Sequence, residues 1–174
     1  MKKSLAIYIA LIFIFACRNS SQSPNQMTQQ ELNGHLENAN KIRVQNESKQ
    51  IDEYASVHHY QMERTGTGLR LERYVKKNSS DFPIAHNELS IVYKVFLLDG
   101  NMCYETDSSA PLSFRLSEGQ EPRGLEEGLM MMTVGEKARM VLPMHLAYGL
   151  SGDGDKIPPG AALFIDVELL KVTK

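Results

Sequence analysis

A period of two runs through the C-terminal two thirds of this chain and constrains its fold more than any other feature. Near the end, Leu163, Ile165, Val167 and Leu169 alternate with Phe164, Asp166, Glu168 and Leu170. Successive side chains of a strand point to opposite faces, so this segment has one continuous apolar face to bury. Leu112-Ser113-Phe114-Arg115-Leu116 alternates in the same way, and Lys137 to Pro143 places Ala138, Met140 and Leu142 on one face. Leu69 to Val75 alternates except at Arg73. Leu89 to Leu98 is a longer β-rich run that stops at Asp99-Gly100, a hairpin turn signal. Between the segments at 112–116 and 137–143 lies one short helical pattern. Pro122 suits its first turn, where the missing N–H needs no helical partner. Glu126 and Glu127 lie near the positive end of the helix dipole, and Leu125, Leu129 and Met132 make one apolar face. Gly135 is a natural stop, and Gly124 and Gly128 allow a close approach to a sheet. The expected fold is α+β: a curved antiparallel sheet of about five strands wrapped on one short helix, preceded by an N-terminal helical segment.

The first residues have a different character. Lys2 and Lys3 precede an uncharged apolar run from Leu5 to Ala16. As a helix that run would span about 18 Å, short of the roughly 30 Å core of a bilayer, so it reads as an export signal and not a permanent span. It ends at Ala16-Cys17 and turns abruptly polar at Arg18-Asn19-Ser20-Ser21. This resembles a bacterial lipoprotein signal, in which the cysteine is acylated and becomes the new N-terminus; an ordinary secretory signal next to a cysteine is the alternative. Residues 1–16 are accordingly read as a signal peptide, Cys17 as the lipidation site, and residues 17–30 as a flexible tether. Residues 31–60 carry a sparse apolar stripe at helical spacing, read as one or two exposed helices that could dimerise. Residues 61–174 form the folded domain. A lipid on Cys17 would place the protein in the cell envelope, anchored to a membrane and facing the periplasm.

Composition excludes several function classes. A formal charge of −2 over 174 residues offers no basic face for nucleic acid. Two cysteines make no disulfide framework, no Cys/His spacing suits zinc, and no glycine-rich phosphate loop is present. His58-His59 point apart on any regular element and have no third ligand near them, and Gly152-Asp153-Gly154-Asp155 lacks the spacing of a calcium loop. Of Met130-Met131-Met132, one faces the core by helical period. Neither a metal nor a cofactor is expected.

The motifs of the C-terminal half have a specific order. Gly124-Leu125-Glu126-Glu127-Gly128-Leu129 is followed by Val134-Gly135-Glu136-Lys137-Ala138-Arg139, then Ala147-Tyr148-Gly149, Ile157-Pro158-Pro159-Gly160 and Phe164-Ile165-Asp166-Val167-Glu168-Leu169-Leu170. This succession closely resembles FKBP-type peptidyl-prolyl cis-trans isomerases, and the likeness extends back to about Met62. With the lipoprotein-like start, the layout is similar to motility-associated FKBP lipoproteins of gliding Bacteroidetes. The resemblance implies proline-containing polypeptide clients. The X–Pro bond isomerises over a barrier of about 18–20 kcal/mol. Lowering it requires no nucleophile, metal or cofactor, only a dry cavity that fits the twisted amide better than the planar one, with one or two hydrogen-bond donors. By the resemblance, Tyr148 donates to a substrate carbonyl, Tyr93 and Glu105 complete the catalytic set, and Tyr104, Leu112, Phe114, Pro122, Leu125, Ile157 and Ile165 bind substrate. Three positions depart from the family. Leu125 stands where Trp is usual, and Leu112 and Ile165 replace aromatics. In addition, Pro122 falls where a backbone N–H usually meets the substrate, so the Glu121 N–H would have to substitute. These departures keep a second reading open: a weak or inactive binding module or chaperone that assists assembly of an envelope apparatus.

Overall fold

The computed structural model describes residues 28–174. The expected signal peptide at 1–16, Cys17 and most of the expected tether at 17–30 lie outside the described residues. Helix α1 spans Gln29–Val57. It opens with a reciprocal cap: the Glu31 carboxylate accepts from the Thr28 N–H at 2.9 Å, and the Thr28 hydroxyl accepts from the Glu31 N–H at 3.3 Å. One helix therefore stands where one or two were expected. It ends as the Tyr60 N–H donates back to the Ala55 carbonyl, with His59 at a φ of 56°. The chain divides between Asn40 and Lys41 into two compact units. In the first, Leu32 and Leu36 are exposed.

The second unit holds the sheet. Its strands are β1 (Glu63–Arg64), β2 (Arg70–Val75), β3 (Glu88–Leu97), β4 (Met102–Glu105), β5 (Leu112–Arg115), β6 (Lys137–Leu142) and β7 (Leu163–Thr173). All pair antiparallel in the order β1-β2-β6-β7-β3-β4, with β5 also on the β3 edge. The sheet is open and not closed into a barrel. Five strands coincide with the five alternating segments. The two additional ones are short: β1 has only two residues, and β4 is the return arm of the hairpin announced by Asp99-Gly100.

Helix α2, Arg123–Met130, lies against the inner face of the sheet, with Pro122 as its N-cap residue. Leu125, Leu129 and Met132 are buried as their spacing requires, against Ala138, Met140 and Leu142 of β6 and Leu163, Ile165 and Val167 of β7. The helix can sit this close because of its glycines. A Cβ on Gly124 would lie 2.6 Å from Leu142 Cγ and 3.0 Å from Leu146 Cβ.

The second half of α1 is not exposed as expected; it covers the outer face of the sheet. Ile51 is wholly buried with Val141 and Phe164, flanked by Tyr54, Tyr60 and Phe96. That is why Phe164, on the polar side of the β7 alternation, is buried as well. Polar ties reinforce the contact. Arg70, only 3% exposed, pairs with Asp52 at 2.8 Å and donates to the Ser48 hydroxyl at 2.7 Å and to the Gly68 carbonyl at 2.6 Å. The Glu47 carboxylate accepts from the Met144 N–H. The sequence concealed this dock because the partners of Arg70 lie 18 and 22 residues upstream.

Gly124→Ala is expected to lower the free energy of unfolding by about 1–3 kcal/mol through overpacking, although alanine favours an isolated helix by about 1 kcal/mol. Urea denaturation measures it, and a stabilised variant would show that α2 does not need this close approach.

Candidate active site

The cleft beside α2 is built from four elements. From β3 come Tyr93 and Val95, which share a face by the period of two. Strand β4 contributes Tyr104, in register with Val95. The start of α2 supplies Glu121, Pro122 and Leu125, and β7 supplies Leu163 and Ile165. Tyr148, just beyond the 3-10 turn Met144–Leu146, closes the ring. The hollow between these walls is small, with a cavity volume of about 10 Å³, and it is open to solvent. Leu125 and Ile165 are each 1% exposed and form a dry floor.

Backbone geometry holds the tyrosines in place. The Tyr93 N–H donates to the Thr106 hydroxyl at 3.1 Å, and the Thr106 N–H returns to the Tyr93 carbonyl at 2.9 Å. The Gly149 N–H donates to the Met144 carbonyl at 2.8 Å and fixes the turn that carries Tyr148. The loop beyond it, residues 149–160, folds back on itself. Asp153 accepts from the N–H groups of Asp155 at 2.9 Å and Ile157 at 2.8 Å, and it accepts from the Tyr104 hydroxyl too. Gly152 is needed there: its φ is 70°, and a Cβ would run into the Ile157 carbonyl oxygen.

Two hydroxyls remain uncommitted. Among the described residues neither the Tyr93 nor the Tyr148 phenol has a hydrogen-bond partner, whereas that of Tyr104 is spent on Asp153. Burial, then the charges of Glu121 and its neighbours, pushes the Tyr148 hydroxyl up to about 12. Burial, then Glu121, raises Tyr93 as well. Both stay protonated at neutral pH and are available as donors. Glu121 is itself raised, by burial first and then by the charge of Glu126. This arrangement can strip water from an apolar ring and offer a phenolic O–H to a carbonyl.

Of the residues marked in the sequence, Tyr93, Tyr104, Pro122, Leu125, Tyr148 and Ile165 meet in this cleft. Four others do not line it. Glu105 stands opposite Lys94 on the outward face of the β3–β4 ladder and pairs with it at 3.7 Å, beside a separate hollow with Thr106 and Asp107. It faces away because it is the immediate neighbour of the inward Tyr104. Phe114, opposite Leu89, is buried in the core, and Leu112, opposite Ile91, packs on that core. Ile157 is 2% exposed: the fold-back of its loop turns it inward, not onto the rim. Conversely, Val95, Leu163 and the Glu121 carboxylate went unmarked. Val95 and Leu163 each sit two residues from a marked residue on the same strand face, so the period of two could have found them. Glu121 entered the sequence reading only for its N–H, and no local pattern marked its carboxylate. Among the described residues no group of three His, Cys, Asp or Glu side chains could hold a metal ion.

The family model for FKBP-type peptidyl-prolyl cis-trans isomerase matches residues 80–170, just over half of the chain. The chain belongs to that family. A bovine relative, "Peptidyl-prolyl cis-trans isomerase FKBP2", is 38% identical over 121 residues, which cover 63% of this chain and 84% of the relative. "FK506-binding protein 2B" of Rhizopus delemar is 43% identical over 88 residues, and this chain spans 42% of its length. A peptidyl-prolyl isomerase solved from Pseudomonas syringae superimposes with a TM-score of 0.65 over 77% of this chain and 96% of that one. At 24% identity, that match speaks for the fold. This FKBP domain thus has the family architecture, with Leu125 flooring its cleft.

Because the folded protein holds the Tyr148 proton more tightly than the unfolded chain does, this group leaves stability untouched below pH 10. It lowers stability as pH rises through about 12. Denaturation series across that range are expected to decline less steeply in Tyr148→Phe than in wild type; equal slopes would contradict the placement of the buried hydroxyl.

Proposed function

We propose that this FKBP-type peptidyl-prolyl isomerase acts on exported or envelope proteins and is held at a membrane, facing the periplasm, by a lipid on Cys17. The observation that carries the catalytic part is the pair of unpartnered hydroxyls on Tyr93 and Tyr148 above the dry floor of Leu125 and Ile165. The proline ring rests on Leu125 and Ile165, walled by Tyr93 and Tyr104. Tyr148 donates to a carbonyl flanking the rotating bond. Twisting removes amide resonance, so a site that excludes water and holds the twisted form lowers the barrier without covalent chemistry. The lipid anchor is supported by the sequence Leu5 to Cys17 alone; among the described residues no helix is long and apolar enough to cross a membrane.

A second reading draws on Pro122. It lines the cleft and has no N–H to offer, and both floor residues are aliphatic. A cleft with fewer donors and less aromatic surface suits a client-binding chaperone in the assembly of an envelope machine, in keeping with the layout of the motility-associated lipoproteins that the sequence resembles.

A protease-coupled assay on proline tetrapeptides decides between the two. Activity is expected to fall about tenfold in Tyr148→Phe, the equivalent of one lost hydrogen bond of about 1.4 kcal/mol, and further in Tyr93→Ala. A rate no better than uncatalysed exchange, with suppression of client aggregation intact, would favour the chaperone. Cys17→Ala is expected to move the protein from the membrane to the soluble fraction; unchanged partitioning would refute the anchor.

A further inference from the structure

We propose that the Glu121 carboxylate makes this cleft select prolyl segments that carry a lysine or arginine beside the proline. The inference rests on the cleft reading above and adds a substrate class to it.

Glu121 alone among the side chains lining the cleft carries a formal charge at neutral pH. It is half-buried, yet among the described residues no cation or hydrogen-bond donor meets its carboxylate. Its electrostatic neighbours are of the same sign. Glu126, whose own carboxylate accepts from the Ser117 N–H at 3.1 Å, acts on it unfavourably, and Glu121 and Asp153 both bear on Tyr148. Asp155 lies beside Asp153 at the Tyr104 hydroxyl. The Lys156 ammonium sits 5.0 Å from the centre of the Tyr104 ring.

A partly desolvated carboxylate without a partner is unfavourable, and a ligand that brings a cationic donor removes that penalty while gaining a charge-assisted bond. The position sets which part of a ligand does so. Glu121 directly precedes Pro122 at the rim, above the floor of Leu125 and Ile165 that receives the ring. A side chain adjacent to the proline leaves the floor at that level. Lysine and arginine have both the length and the charge; a glutamate there would meet like charge and be rejected.

The test uses the full chain and two readouts. Fluorescein-labelled tetrapeptides with Lys, Leu or Glu before or after the proline are titrated by fluorescence polarisation, and the same series is assayed for isomerisation. At low salt the best Lys peptide is expected to bind about tenfold more tightly than its Leu counterpart, with the Glu peptide weakest. High salt narrows the gap, Glu121→Gln abolishes it, and Glu121→Lys inverts the order. An equal Lys-to-Leu ratio in wild type and Glu121→Gln, or no preference in wild type, overturns the inference. Loss of turnover on every peptide with the binding preference retained defeats the isomerase reading alone. Failure to bind any peptide defeats both.

Discussion

The close approach of α2 to the sheet is the constraint on which the rest of the molecule depends. A helix with ordinary side chains at positions 124 and 128 would stand off from Leu142 and Met140. It would then leave a gap that the core could not fill at normal packing density. With glycine at both positions, Leu125 and Leu129 drop into the inner face, and Pro122 and Glu121 arrive at the rim of the cleft. The two unsubstituted positions are thus architectural as much as local: they set the depth of the floor on which a ring can rest.

The cleft is assembled from parts with different degrees of freedom. Its floor is sheet and helix core, rigid because Ile165 is locked between β3 and β6. One wall, Tyr104, is tied by its hydroxyl to Asp153 and so braces the loop 149–160. The remaining tyrosines keep their hydroxyls free. The phenols thus divide the work, one organising a loop while two remain for a ligand. This division also accounts for a chemistry that needs no metal or nucleophile. Rotation about a conjugated bond responds to desolvation and to the orientation of a few donors, which a preorganised cleft supplies without reorganising.

The outer face of the sheet is shielded by a different device. Helix α1 has little apolar surface to bury, and in its second half Ile51 and Ala55 provide most of it. Arg70 compensates with directed polar contacts to Asp52 and Ser48, and Glu47 with one to Met144. Removing one partner of such a network leaves a buried charge exposed to the full cost of desolvation, so the dock is specific even though its apolar area is small.

Much of this was legible from residue order because it rests on local rules. The period of two assigned five strands and their inner faces, down to the burial of Met140, Leu142 and Ile165. The spacing of Leu125, Leu129 and Met132 assigned the short helix and its buried side. Six of the residues that line the cleft were marked by the family resemblance and not by a local rule. Pairing across distance escaped that logic. No local signal tells that Arg70 reaches back to Asp52, that α1 covers Phe164, or that Ile157 turns inward while Glu105, next to an inward tyrosine, faces water. Those outcomes follow from which strand edges meet and which loop folds back, where a shift of one residue reverses the direction of a side chain. The tertiary structure likewise decided that an acidic group, unremarkable in the chain, stands without a partner at the edge of the cleft.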